Sequence, residues 1–124
     1  MITSKYRKLT DHIVSQDQAV QLDVTVVDEP GAGGASHIYQ ISKPGLDLCS
    51  IHFQNGPIKE SGVNGITQEV LLAITIDRLR SFQNGPFKCR ENAIALTHLE
   101  DALMWLQKRT RDRIARGVEG TTTV

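Results

Sequence analysis

A chain of 124 residues is long enough for one compact domain and too short for two of ordinary size. Its 14 Lys and Arg balance 14 Asp and Glu, so it lacks the basic excess of a general nucleic-acid or anionic-membrane binder, and any anion site has to be local. Two cysteines, Cys49 and Cys89, form no C-x-x-C pair and are too sparse for a secreted disulfide framework, so they read as free thiols of a cytosolic protein.

The first residues, MITSKYRKLTDH, place no apolar run after their basic side chains and do not read as a secretory signal. From 20 to 27, VQLDVTVV alternates Leu22, Val24 and Val26 with Gln21, Asp23 and Thr25, the period of a strand. DEPGAGGAS at 28–36 interrupts it. This segment is rich in glycine but opens no helix, so it reads as a turn and not as a dinucleotide-binding loop. HIYQIS at 37–42 is a second strand, KPG at 43–45 a turn, and LDLCSIHF at 46–53 a third strand with Cys49, Ile51 and Phe53 on one side. These segments predict a small antiparallel meander.

The second half is helical. GITQEVLLAITIDRLRSF at 65–82 is apolar around much of its circumference, which predicts burial on more than one side and therefore a subunit interface. VLLAITI at 70–76 is its most apolar run, far short of the ~20 residues that span a bilayer. QNGPF at 83–87 ends the helix, and residues 89–116 then run without Gly or Pro. Leu96, Leu99, Leu103 and Leu106 make its apolar stripe, and Gly117 is placed to end it. Such a helix is about 40 Å long, more than a meander needs as cover, which again predicts oligomerisation. The fold class is α+β: an N-terminal antiparallel sheet over 18–58 and a two-helix hairpin over 64–117, in one domain spanning 1–124. The pentapeptide FQNGP occurs at 53–57 and again at 82–86, which reads as two loops of similar turn chemistry.

Arg109, Arg113 and Arg116 recur at i, i+4 and i+7, within about 60° of one another on the helical wheel. Trp105 and His98 edge the same sector. Like charges one turn apart repel, so the row calls for an explanation. One is a solvated helix end, where cations suit the C-terminal dipole. The other is an anion clamp, because the guanidinium fork matches two phosphate oxygens. Phe82 and Asn92 flank the interhelical loop. Phe82 fits either a core aromatic or a stacking plate for a base, and Asn92 either a first-turn helix residue or a polar contact to a nucleotide. Asn64 reads as a cap or turn residue. His12, His37, His52 and His98 have no metal-ligand spacing, and there is no G-x-S-x-G or phosphate-binding G-x-x-x-x-G-K. No catalytic residue, metal site or cofactor is expected.

NGPIKESGVNGITQEVLLAITIDRL, FKCRENAIALTHLEDALMWLQKRTRDR and RGVEGT resemble the helical hairpin of phage anti-defence proteins that sequester cyclic-nucleotide signals. That hairpin is shared by anti-CBASS sponges and by the first described class of Thoeris anti-defence sponges. The resemblance covers roughly residues 53–122, and the strand-rich extension before the hairpin is similar to the Thoeris branch. It implies a non-enzymatic phage protein in the cytoplasm of the infected or lysogenic host. Its ligand would be a small-molecule nucleotide signal, a cyclic ADP-ribose isomer (glycocyclic ADP-ribose) in the Thoeris branch. Cyclic di- or trinucleotides of CBASS immunity are the alternative, in a second pocket or as the main ligand. The assembly implied is an antiparallel homodimer, built further into a hexamer as a trimer of dimers, with no nucleic-acid or membrane partner. Carried over residue by residue, Phe82 stacks a base, Asn92 is a polar contact, Arg109 and Arg113 clamp a pyrophosphate, and Arg116 with VEGT at 118–121 lies where a second pocket forms. Enzymatic degradation of the signal and a plain scaffold or DNA-associated role are the competing readings.

Overall fold

A computed structural model describes residues 6–15 and 22–124. The part of the meander expected over 18–21 lies outside the described residues. The chain divides into two compact units, Met1–Gly65 and Ile66–Val124.

The first unit is a four-stranded antiparallel sheet in sequential order, β1 (Arg7–Leu9), β2 (Asp23–Val26), β3 (Ile38–Lys43) and β4 (Leu46–His52). The predicted meander is present, with one addition. β1 is a three-residue strand whose Arg7, Lys8 and Leu9 pair with Val26, Thr25 and Val24. Alternation decides which face is apolar. Val24 lies opposite Ile41 and Val26 opposite Tyr39, while Ile41 and Tyr39 lie opposite Cys49 and Ile51. Val26 is fully buried, and Phe53 packs edge-on against Tyr39 at 5.6 Å between centroids. The register slips by one residue between Ile41 and Ser42, leaving a bulge in β4.

The segment joining β2 to β3 closes on Asp28. Its carboxylate accepts the backbone N–H of His37 at 2.8 Å and of Ile38 at 3.0 Å. Burial pushes this carboxyl up, but the two backbone donors and the nearby His37 outweigh it and hold the group below the usual aspartate value. The glycine-rich stretch forms a 3-10 turn at Ala32–Gly34, with Gly33 and Gly34 at positive φ. The loop after β4 carries a short helix, α1 (Ile58–Ser61), and is stitched by side chains. Gln54 donates to the Gly56 and Gly62 carbonyls and accepts from the Asn64 N–H. Asn64 in turn accepts from the Asn55 N–H and donates to the Asn55 carbonyl.

The second unit is the predicted helical hairpin, α2 (Gln68–Gln83) and α3 (Arg90–Ala115). Thr67 caps α2 by accepting the Val70 N–H, and Glu69 sits in the first turn, where the dipole favours an anion. Cys89 caps α3, its sulfur accepting the Asn92 N–H. The loop between the helices is clasped by Gln83, whose amide both accepts from the Cys89 N–H and donates to the Cys89 carbonyl. The repeated FQNGP therefore marks the same device twice, a glutamine that clips its own loop. Arg80 pairs with Glu100 at 2.8 Å, and Thr110 donates to Glu69 at 3.4 Å, so the helices run antiparallel.

The predicted leucine stripe faces inward. Leu96, Leu99, Leu103 and Leu106 are all half-buried, as are Leu71, Leu72 and Leu79 of α2. Ile76 is the one apolar residue of the hairpin that is fully buried among the described residues. Ile74, about 200° away around α2, is 60% exposed, and Val70 one turn earlier is exposed too. α2 is thus apolar on more than one face, but within one copy only the Ile76 side is buried, and the expected burial of a second side is not met by the chain alone.

Candidate functional site

The last turn of α3 reverses the chain. Gly117 adopts φ 74°, its N–H donates to the Ile114 carbonyl, and the Val118 N–H donates to the Arg113 carbonyl. This is a Schellman motif with glycine at the left-handed position, so the predicted role of Gly117 at the helix end is met. The tail then runs back along α3, and its carbonyls land on one side chain. Arg113 Nε donates to Glu119 at 2.9 Å, Nη1 to the Thr123 carbonyl at 2.6 Å, and Nη2 to the carbonyls of Val118 and Thr121 at 3.0 and 3.1 Å. Four of the five guanidinium N–H groups are thus engaged by the chain itself. Arg113 is only 7% exposed, an uncommon depth for arginine, and it is tolerated because charge and donors are satisfied together.

The other two arginines of the row are exposed. Arg116 Nη2 donates to the Val124 carbonyl at 2.6 Å, and its other donors are free among the described residues. Arg109 has no hydrogen-bond or ion-pair partner among the described residues. The three border one groove of about 530 Å³, lined also by Trp105, Lys108, Asp112 and Val124. That volume falls within the range of small-molecule sites. Four of the lining side chains are cationic and one is acidic, and the acid, Asp112, is held by Lys108 at 2.7 Å. The row picked out by spacing is therefore one groove wall, with Arg113 as its fastened middle member. The two arginines expected to clamp a pyrophosphate differ in what they have free: Arg113 keeps one N–H for an outside acceptor, and Arg109 keeps all five.

Phe82 and Asn92 lie together at the opposite end of the hairpin. Phe82 is half-buried, with Phe87 at 6.3 Å between centroids and the Arg78 guanidinium 4.9 Å from its ring centroid. Asn92 is in the first turn of α3, and its side-chain amide has no partner among the described residues. About 25 Å of helix separates Asn92 from Arg109. One copy of the hairpin thus brings the arginines to one groove and leaves Phe82 and Asn92 at the other end, away from it.

The sequence did not single out Lys108, Asp112 or Val124, and it noted Trp105 only as an edge residue. Lys108 and Asp112 pair at i, i+4, a common surface pattern that conceals any second role. Val124 reaches the groove only because the glycine turn folds the tail back. Among the described residues there is no group of three or more His, Cys, Asp or Glu placed to hold a metal ion, and no helix long and apolar enough to cross a membrane.

Comparison with known proteins agrees with the fold. The chain is 52% identical over 91 residues to the protein named Thoeris anti-defense 1 of Bacillus phage SBSphiJ7, an overlap of 73% of this chain. It spans 64% of the length of that relative. Residues 47–111, which run from β4 through most of α3, match the model of the hairpin domain named for Acb2 and Tad1. The chain belongs to the Acb2/Tad1 hairpin-domain family.

Proposed function

We propose that this protein binds a cyclic ADP-ribose isomer, glycocyclic ADP-ribose, and holds it without cleaving it, so that a phage escapes Thoeris immunity in the host cytoplasm. The observation that carries the reading is the groove at the end of α3, where the unpartnered Arg109 and the partly free Arg116 face a small-molecule-sized space. A pyrophosphate offers charges close together, and guanidinium groups on one helix face meet them. The name of the relative supports the anti-defence role. The groove lining supports retention over cleavage: its one carboxylate, Asp112, is tied to Lys108 and is not poised as a general base.

The magnitudes call for enclosure. Charge-assisted hydrogen bonds contribute about 1.5–3 kcal/mol each and a base stack about 1–3, against about 12 for nanomolar capture. A second copy supplies the remaining walls. A two-helix hairpin that fully buries only Ile76 and Arg113 leaves Val70 and Ile74 in water, which an antiparallel homodimer would cover, and dimers would assemble further into a hexamer. Antiparallel pairing also sets the Phe82–Asn92 end of one copy near the arginine end of the other.

The separation of the two ends within one copy favours a second reading as well. Each end is then its own pocket: Phe82 and Asn92 serve the cyclic ADP-ribose isomer, and the arginine groove with the 118–121 turn serves a cyclic di- or trinucleotide of CBASS immunity.

The test is to incubate the protein with cyclic ADP-ribose isomers, remove unbound ligand, heat-denature, and read the supernatant by mass spectrometry. Recovery of one intact cyclic isomer is expected. Linear ADP-ribose from a cyclic input would make the protein a hydrolase. Recovery of nothing, with cyclic oligonucleotides retained instead, would make a cyclic oligonucleotide the main ligand, and recovery of both would favour the second reading.

A further inference from the structure

Trp105 is the one tryptophan of the chain, and it stands 60% exposed on the wall of the arginine groove. An indole left in water forgoes a large burial free energy, so a tryptophan exposed at a groove is a natural anchor for a ligand. Its neighbours sharpen the case. Arg109 is one turn along on the same face, about 6 Å away between Cβ atoms, and has no partner. That guanidinium does not lie over the indole: the cation–π pair of the described residues is Arg78 on Phe82, at the other end of the hairpin. Among the described residues no cation–π contact covers the indole, which is 60% exposed, while one side of Phe82 is engaged by Arg78. Arg116 lies 11 residues on, roughly 16 Å along the helix, with Arg113 fastened between them. An open aromatic plate beside a free guanidinium fits a base and its phosphate, which are joined through one sugar.

Resting on the nucleotide-binding reading above, we propose that Trp105 is a ligand-contacting residue of the arginine groove, stacking on the base of a nucleotide whose phosphate Arg109 holds. Stacking tolerates any base, so Trp105 contributes affinity and Arg109 selects for the phosphate. Lys108 and Asp112, on the flank of the same surface, neutralise one another and leave that selection to the arginines.

Because there is a single tryptophan, its emission reports this position alone. Glycocyclic ADP-ribose and cyclic triadenylate are the probes, with inorganic pyrophosphate as a control that has no base. At least one nucleotide should quench the emission saturably, and pyrophosphate should not. By calorimetry, Trp105→Ala should weaken that nucleotide about tenfold or more, while Trp105→Phe keeps most of the affinity. A nucleotide that binds with emission unchanged, and equally well to Trp105→Ala, overturns this role for Trp105 and leaves sequestration standing. A Trp105→Ala protein that loses oligomer mass in light scattering, with wild-type emission blind to every probe, makes Trp105 an interface residue and overturns the proposal. If none of the probes binds the wild-type protein, this proposal and the sequestration reading fall together.

Discussion

The two ends of the hairpin use similar chemistry to different ends. At the loop end, Gln83 and Cys89 fasten the backbone, Phe82 is half-buried under Arg78, and the Asn92 side-chain amide is without a partner among the described residues. At the far end the fastening is done by Arg113, a member of the charged row itself, while its neighbour Arg109 remains open and Arg116 is held only by one bond to the Val124 carbonyl. A cluster of like residues on one helix face is therefore not a set of equivalent ligand contacts. Burial and the count of engaged donors sort it into a part that builds the surface and a part that is left for something else.

Removing the fastening should have the largest effect. Arg113→Ala removes a donor from Glu119 and from three tail carbonyls, of which Val118 alone keeps another in Thr121, so the 118–123 segment should detach, with a stability loss of about 2–4 kcal/mol. Denaturant unfolding measures the loss, and limited proteolysis shows the released tail. Arg113→Lys keeps the charge but not the fork, and should fall between alanine and wild type. If Arg113→Ala unfolds like wild type and only ligand binding suffers, Arg113 belongs with the open side chains.

Arg109→Ala should behave in the opposite way. With no partner to lose, the variant should unfold at the wild-type temperature and bind the nucleotide about tenfold more weakly. A clear drop in thermal midpoint would mean that Arg109 has structural partners after all.

Phe82→Ala and Asn92→Ala decide whether the two ends serve one pocket or two. If a second copy brings the ends together, both variants and Arg109→Ala should weaken the same ligand, by about fivefold or more for the aromatic. With two separate pockets the losses split: the loop-end variants lose the cyclic ADP-ribose isomer, and Arg109→Ala loses the cyclic oligonucleotide. Titration of each variant with both ligands gives the answer.

Much of this was legible in the sequence, for reasons of scale. Long periodic segments declare themselves, so the hairpin, its leucine stripe and the glycine that ends α3 were read to within a few residues. β1 was not, because Arg7–Leu9 is too short to show alternation and its pairing with β2 is not local. The row Arg109, Arg113, Arg116 was legible as a pattern, but the division of labour inside it was not. Arg113 is engaged mostly by backbone carbonyls, and these carry no residue identity. They reach it only because Gly117 takes a positive φ and turns the tail around. Side-chain spacing along a helix reports which residues share a face. It does not report what the rest of the chain brings to that face.

The smallest effect tests the electrostatics of the open end. Lys108 and Asp112 form an exposed pair with both side chains more than half accessible, so Lys108→Ala should change stability by less than about 0.5 kcal/mol. It nevertheless frees a carboxylate on the groove wall beside Arg109 and Arg116, where an unpaired negative charge opposes an incoming phosphate. Ligand binding should weaken by about two- to threefold at low salt, and the loss should fade at high ionic strength, where charges are screened over about 3 Å at 1 M. Lys108→Ala combined with Asp112→Ala removes both charges and should bind close to wild type. If the single variant is as good a binder as wild type at low salt, the phosphate does not lie on this stretch of α3, and the loop end of the hairpin becomes the place to look for it.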